Sequence, residues 1–242
     1  MENDQLKEGE SATQAEPDVT PKVSATGSVS SHIRSTRNSL QLARRGFHMS
    51  NSLVCTVLYG YFLSHQQAVY ILGTFACSFY IIEQIRVAYP NLNKKLAPVT
   101  KYFLRAEEQL KESASVPYAM AILLTILSFP KIIAIASILT LGFADPLSAI
   151  IGISFGKRKI AEGKSVEGSA AFFVANFVCV LVPFLTVTEG MRLTIVLMSF
   201  IAAVLGTAFE MIPMKVDDNI TIPIFSAVTL WALVSLFNIP VI

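Results

Sequence analysis

From Phe47 onward the chain is a succession of apolar runs, each about as long as a lipid bilayer is thick, separated by short polar breaks. A membrane-spanning helix needs about 20 mostly apolar residues, and by that measure there are about seven spans. They lie near 47–64, 67–85, 116–130, 131–155, 169–187, 192–212 and 220–238. The third is short, bounded by Pro117 and Pro130. Leu, Ile, Val, Phe and Ala occupy these runs almost all round, whereas a soluble helix confines them to one stripe. Charged residues make up 15% of the chain, well below the roughly 25% of a soluble domain. Connections such as Ser64–Gln66 and Pro130–Lys131 are too short to hold a further domain. The expected fold is all-α, a polytopic membrane helical bundle over residues 47–242.

Residues 1–46 are rich in Ser, Thr, Glu, Gln and Lys and hold no apolar period. Such a segment cannot bury enough surface to offset its ordering entropy, so a disordered cytoplasmic tail is expected. A secretory leader would place its apolar core within roughly the first 30 residues, and none is expected here. Arg34, Arg37, Arg44 and Arg45, just ahead of the first span, suit anionic lipid head groups or are ordinary flanking charge. Cys55, Cys77 and Cys179 sit in apolar runs without paired spacing and read as small buried hydrophobes, not as zinc ligands or disulfides. A net charge of only +2 offers no surface for a nucleic-acid backbone, so nucleic acid is not an expected partner.

Lys and Arg concentrate on the cytoplasmic side of membrane proteins. With the amino terminus cytoplasmic, only Lys131 and Arg192 of the 19 cations fall on the far side. An odd number of spans then puts the carboxyl end outside. Glu83, Glu107, Glu108, Glu112, Glu162, Glu167, Glu210, Asp217 and Asp218 gather at the same cytoplasmic ends, while Glu189 lies opposite and Asp145 lies inside a span. One face that gathers both signs suits an anionic, metal-bound solute. A transporter would instead place polar groups near mid-membrane and in both vestibules.

Within that face, Asp145 is the most informative position. An ionisable group in a span costs about 2.5–3.5 kcal/mol on insertion scales, so something must compensate. Pro146 lacks an N–H, and the helix is expected to break there, with Asp145 as N-cap and Pro146 opening a new half-helix. Such a break is a seat for a metal-bound phosphate, or the Asp simply caps it. Downstream come Gly156-Lys157-Arg158-Lys159 and Gly163-Lys164-Ser165-Val166-Glu167-Gly168-Ser169. Glycines around a Lys-Ser pair let the backbone approach phosphate oxygens, with Lys as a point charge. The P-loop spacing and its preceding strand are missing, and a basic loop beside a membrane is the plainer alternative. Glu210, Asp217, Asp218 and Asn219 offer oxygen ligands to Mg²⁺, or the last three cap a helix. Arg45 and His48, Glu83 and Arg86, and Arg105 with Glu107 and Glu108 share the same face. Glu83 and Arg86, at i,i+3, also suit a simple pair.

Taken in order, these strings resemble the polyprenol kinase family of membrane enzymes, which includes dolichol kinase, phytol kinase and the CTP-dependent diacylglycerol kinases. The matching positions are Arg45 and His48, Glu83 and Arg86, Leu104-Arg105 with Glu107 or Glu108, Asp145 with Gly152, Lys164-Ser165 with Glu167-Gly168-Ser169, and Asp217-Asp218-Asn219 with Pro223. They cover residues 40–242. Gly46 stands where Lys is usual, Ala144 where Gly is frequent, and Pro146 where a small residue is usual. The resemblance implies transfer of the terminal phosphoryl group of a nucleoside triphosphate, typically CTP, to the hydroxyl of a membrane lipid, with Mg²⁺. It implies that Asp145, Lys164, Arg105 and Asp218 are catalytic, and that Asp145, Asp217, Asp218 and Asn219 surround the metal, where the residues themselves add Glu210. Gly156, Lys157, Gly163, Lys164, Ser165, Glu167, Gly168, Arg86, Arg45 and His48 would bind nucleotide phosphates.

Two other readings compete. A phosphatidate cytidylyltransferase also uses CTP and Mg²⁺, but its Pro-Gly-His-Gly-Gly and Asp-Arg-x-Asp pattern does not occur here. A transporter or a non-catalytic membrane protein would be favoured by far-side polar residues and internal repeats, which the sequence lacks. Phytol, polyprenol and diacylglycerol are not distinguished by a wall of interchangeable Leu, Ile, Val and Phe, and the sequence does not indicate an oligomeric state.

Overall fold

A computed structural model describes residues 45–89, 115–161, 164–188, 190–212 and 216–240. The expected disordered tail, apart from its last two residues, lies outside them. Helix α1 (45–57) runs into a π-helical turn, Leu58–Phe62. Helix α2, His65–Ala88, opens on a capping box in which Ser64 Oγ accepts from the Gln67 N–H (3.2 Å) and Gln67 Oε1 accepts from the Ser64 N–H (3.0 Å). Helix α3 is Ser115–Ser128. Helix α4, Lys131–Leu139, continues through a second π turn, Thr140–Ala144, into α5, Asp145–Phe155. An antiparallel pair, β1 (Lys159–Ala161) and β2 (Lys164–Ser165), leads into α6 (Val166–Val187), α7 (Arg192–Glu210) and α8 (Asp218–Leu236).

Five of these helical segments are long and apolar enough to cross a membrane, and Val116–Ser128 is a shorter apolar one. The expected all-α membrane bundle is thus the observed architecture; the small β-pair is an addition that the sequence reading did not contain. The α4–α5 unit is the centre, with 67% of its apolar window inside the protein against 17% for α2. Ile133, Val180, Phe184, Ile195, Met198 and Leu230 form one packed cluster around it, and Tyr59, Tyr118, Ile122, Ile138, Leu141 and Phe172 belong to a second. Val174, Val178 and Val182 of α6, Leu193, Leu197 and Phe200 of α7, and Trp231 of α8 point outward. That is the inside-out arrangement that hydrocarbon, unlike water, permits. Cys179 is buried and Cys55 half-buried, but Cys77 is exposed on the outer face of α2, so the expectation of three buried thiols is corrected there. A lipid-facing helix has no need to hide a small apolar side chain.

The helix does not break at Asp145. Asp145 has helical φ and ψ (−63°, −52°), its N–H donates to Thr140 O, and Ala144, in the N-cap position, makes no side-chain cap bond. A π turn replaces the expected N-cap. The wider turn accommodates a Pro whose missing N–H and ring would disrupt a regular ladder. It also brings Gly142 against α1, where a Cβ would lie 2.1 Å from Ser52 Cβ. Gly142→Ala is therefore expected to force the helices apart and destabilise the protein by about 1–3 kcal/mol. Gly60→Ala, whose Cβ would sit 3.7 Å from Ile135 Cδ1, is the control that should leave stability nearly unchanged. Thermal unfolding in detergent compares the two.

Candidate active site

Elements far apart in sequence deliver charged groups to one end of the bundle. Lys164 comes from β2, Glu210 from the last turn of α7, Asp218 from the first turn of α8 and Arg45 from the start of α1. The charges of Asp218, Arg45, Glu210 and Lys164 all act on the half-buried carboxylate of Asp145. Lys164 Nζ makes an ion pair of 3.0 Å with Glu210 Oε1 and also donates to the Glu210 carbonyl. Ser169 Oγ donates to the other carboxylate oxygen at 3.4 Å. At the opposite end, Lys131 donates to the Leu63 carbonyl at 3.3 Å and stands over the Tyr59 ring. Of the expected site residues, the geometry joins Lys164 to Glu210, while Asp218, Arg45, Glu210 and Lys164 lie near enough to Asp145 for their charges to reach it.

The glycine-rich segment is built differently from a phosphate loop. Ser165 is buried and caps α6, its Oγ accepting from the Gly168 N–H at 3.1 Å. Three glycines enclose that hydroxyl: a Cβ at Gly152, Gly156 or Gly168 would lie 3.1, 2.7 or 3.1 Å from Ser165 Oγ. Small residues here let α5 and α6 cross closely, a device common between membrane helices. Lys157 is exposed, and the Glu167 carboxylate accepts from the Arg158 N–H at 3.4 Å, tying α6 back to the β-pair. Serine, glutamate and glycines thus fix the position from which Lys164 projects.

At the start of α8, Asp217 Oδ1 accepts from the backbone N–H (2.9 Å) and the side-chain amide (2.8 Å) of Asn219. These two residues form the helix cap, leaving Asp218 as the carboxylate of the trio that acts on Asp145. Glu83 and Arg86 form a buried two-pronged pair, Nε to Oε2 at 2.9 Å and Nη2 to Oε1 at 2.5 Å. His48 packs edge-on against Tyr118, with ring centroids 4.6 Å apart, and its carbonyl accepts from the Tyr118 hydroxyl at 3.5 Å. Arg105 and Gly163 lie outside the described residues.

Among the described residues no three of His, Cys, Asp or Glu form a ready metal cluster. Mg²⁺ commonly takes only one or two carboxylates and completes its shell with water and phosphate. Asp218 acts on Asp145 as a like charge, and repulsion between carboxylates is what a divalent cation relieves.

One buried polar group escaped the sequence reading. Asn176 of α6, fully inside the protein, accepts from the Thr140 hydroxyl at 2.9 Å and donates to Ala202 O at 3.5 Å. Its signal was present, since an amide in the middle of an apolar run is rare and usually has a task.

No family model and no solved structure matches the chain. It is 24% identical to the CTP-dependent diacylglycerol kinase 1 of Saccharomyces cerevisiae over 82% of its own length and 75% of the relative's. It is 24% identical to the protein of that name in Schizosaccharomyces pombe, over 79% and 92% respectively. A phytol kinase of Synechocystis is 30% identical over 42% of this chain and 44% of its own. These relatives support the polyprenol kinase family, with its membrane lipid kinases, as the family that the ordered motifs point to.

Proposed function

We propose that this protein is a membrane kinase that moves the terminal phosphoryl group of CTP to the hydroxyl of a lipid alcohol, working at the cytoplasmic face. The observation that carries the reading is the meeting of Lys164, Glu210, Asp218 and Arg45 around Asp145 at one end of an apolar bundle. Such a place lets a water-borne polyanion meet an amphiphile whose tail stays in lipid. The relatives named as CTP-dependent diacylglycerol kinases and as a phytol kinase support the donor and the class of acceptor.

Catalysis of phosphoryl transfer is mostly positioning and charge stabilisation. Lys164, held ready by Glu210, exchanges that partner for phosphate oxygens. Arg45, Arg86 and Arg105 balance triphosphate charge. Asp145 accepts the proton of the lipid hydroxyl as the lipid oxygen attacks the terminal phosphorus, whose bond to the bridging oxygen breaks so that CDP leaves. Asp145 and Asp218, with Glu210 beside them, would hold Mg²⁺, which supplies charge neutralisation at the phosphates. Asp217 and Asn219 keep α8 capped so that Asp218 stays in place.

Membranes containing the protein, given CTP, ATP, GTP or UTP labelled on the terminal phosphate together with diacylglycerol, phytol or a polyprenol, are expected to pass label from CTP to lipid. No labelled lipid under any pairing would refute the kinase. Incorporation of the cytidine moiety would identify a cytidylyltransferase instead.

A further inference from the structure

The π turn Thr140–Ala144 decides where the Asp145 carboxylate emerges, since the bond that ends it runs from the Asp145 N–H to Thr140 O. Such turns are rare, and frequent at functional sites. This one is gripped from two sides. Toward α1, Gly142 rests on Ser52, whose hydroxyl is 2.5 Å from the Tyr118 hydroxyl. Toward α6, the Thr140 hydroxyl shares its hydrogen between Ala136 O at 3.0 Å and Asn176 Oδ1 at 2.9 Å. Cys179 Sγ, nearly one turn further along α6, donates to Leu139 O at 3.5 Å. Asn176 and Cys179, at i,i+3 on one face, thus meet two consecutive residues where the turn begins.

An amide in the middle of a span is costly, and filling space does not call for one, since Leu has the same branching. Asn176 is nevertheless 2% exposed, and α7 makes room for it. At Gly206 a Cβ would lie 2.4 Å from Asn176 Nδ2, and the same nitrogen donates to Ala202 O at 3.5 Å. The amide is held with its nitrogen toward α7 and its oxygen toward Thr140. Whatever fixes Thr140 also fixes the residue bonded to its carbonyl, which is Asp145.

We infer that Asn176 is a positioning residue: by holding Thr140 it keeps the π turn open and the Asp145 carboxylate directed at the incoming lipid hydroxyl. The inference rests on the kinase reading and adds to it a residue that acts at one remove from the chemistry.

Asn176→Leu leaves the Thr140 hydroxyl bonded to Ala136 O, so melting in detergent should come no earlier than in the parent. The kcat is nonetheless expected to fall about 10²-fold, the effect of a misplacement of roughly 1 Å, with the KM for CTP unchanged. Gly206→Ala, which displaces the amide nitrogen, and Thr140→Val should lower kcat in the same direction, whereas Thr140→Ser keeps both the hydroxyl and the rate. In an Asp145→Asn background, Asn176→Leu should cost nothing further. Parental kcat in Asn176→Leu, or an equal loss in both backgrounds, overturns the inference.

A second readout needs no turnover. With Cys55→Ala and Cys77→Ala in place and the buried Cys179 kept, Asp145→Cys is expected to react with a small water-soluble methanethiosulfonate. Adding Asn176→Leu should slow that reaction about ten-fold, because thiol reactivity follows exposure. An unchanged rate, or no reaction of Asp145→Cys at all, overturns the positioning role. Should no lipid be phosphorylated while the rate falls as expected, the kinase reading fails and the hold of Asn176 on Asp145 stands.

Discussion

Asp145→Asn is expected to reduce lipid phosphorylation by about 10²–10⁴-fold, the range for a lost general base, while the protein inserts as the parent does and unfolds no earlier. The asymmetry follows from its position. A carboxylate inside the Lys131–Phe155 span, withdrawn from water and facing the like charges of Asp218 and Glu210 as well as the opposite charges of Arg45 and Lys164, is a burden on folding, and an amide of the same shape removes a charge that the bundle must otherwise accommodate. Asp145 makes no cap bond that Asn would lose. The measurement is initial rate against melting temperature in the same detergent. A variant that melts earlier and keeps its turnover would make Asp145 a structural residue.

Lys164→Ala is expected to lose activity by about 10²–10³-fold, as removal of a charge-stabilising donor does, and also to lose stability. Glu210, whose side chain is 9% exposed, would keep a carboxylate without its 3.0 Å partner. Breaking a fully buried pair costs about 3–5 kcal/mol; Lys164, 21% exposed, is partly solvated, so about 1–3 kcal/mol is expected. The double variant Lys164→Ala with Glu210→Gln separates the two losses. Stability should return, because no unpaired charge is left, and activity should not. Recovery of turnover in the double variant would show that Lys164 serves Glu210 and not phosphate.

Most of the architecture was legible because lipid imposes a length on apolar runs. The expected 67–85, 192–212 and 220–238 became His65–Ala88, Arg192–Glu210 and Asp218–Leu236. The convergence of Lys164, Glu210 and Asp145 was legible through the one-sided placement of charge. The π turn was not. Pro146 inside an apolar run announces a disturbance but not its kind, and the close packing of Gly142 on Ser52 joins positions far apart in the chain. Ser165 and Asp217 each carried two readings in the sequence, ligand and cap. Hydrogen bonds to Gly168 and Asn219 give each a capping role, and only three-dimensional geometry holds that information.

The π turn at Thr140–Ala144 carries one residue more than a regular turn, and each residue of an α-helix advances the next by about 100°. It acts as a phase shifter. Everything from Asp145 to Phe155 is rotated relative to the half of the helix that packs the core, so the two halves answer to different angular demands. Deleting one residue in this turn would let the ladder close as an ordinary helix, with its apolar length intact, and swing the carboxylate off the cluster by that same angle. The chain's tolerance to a substitution and to a deletion should therefore diverge sharply over these five positions, even where side-chain size and polarity are preserved.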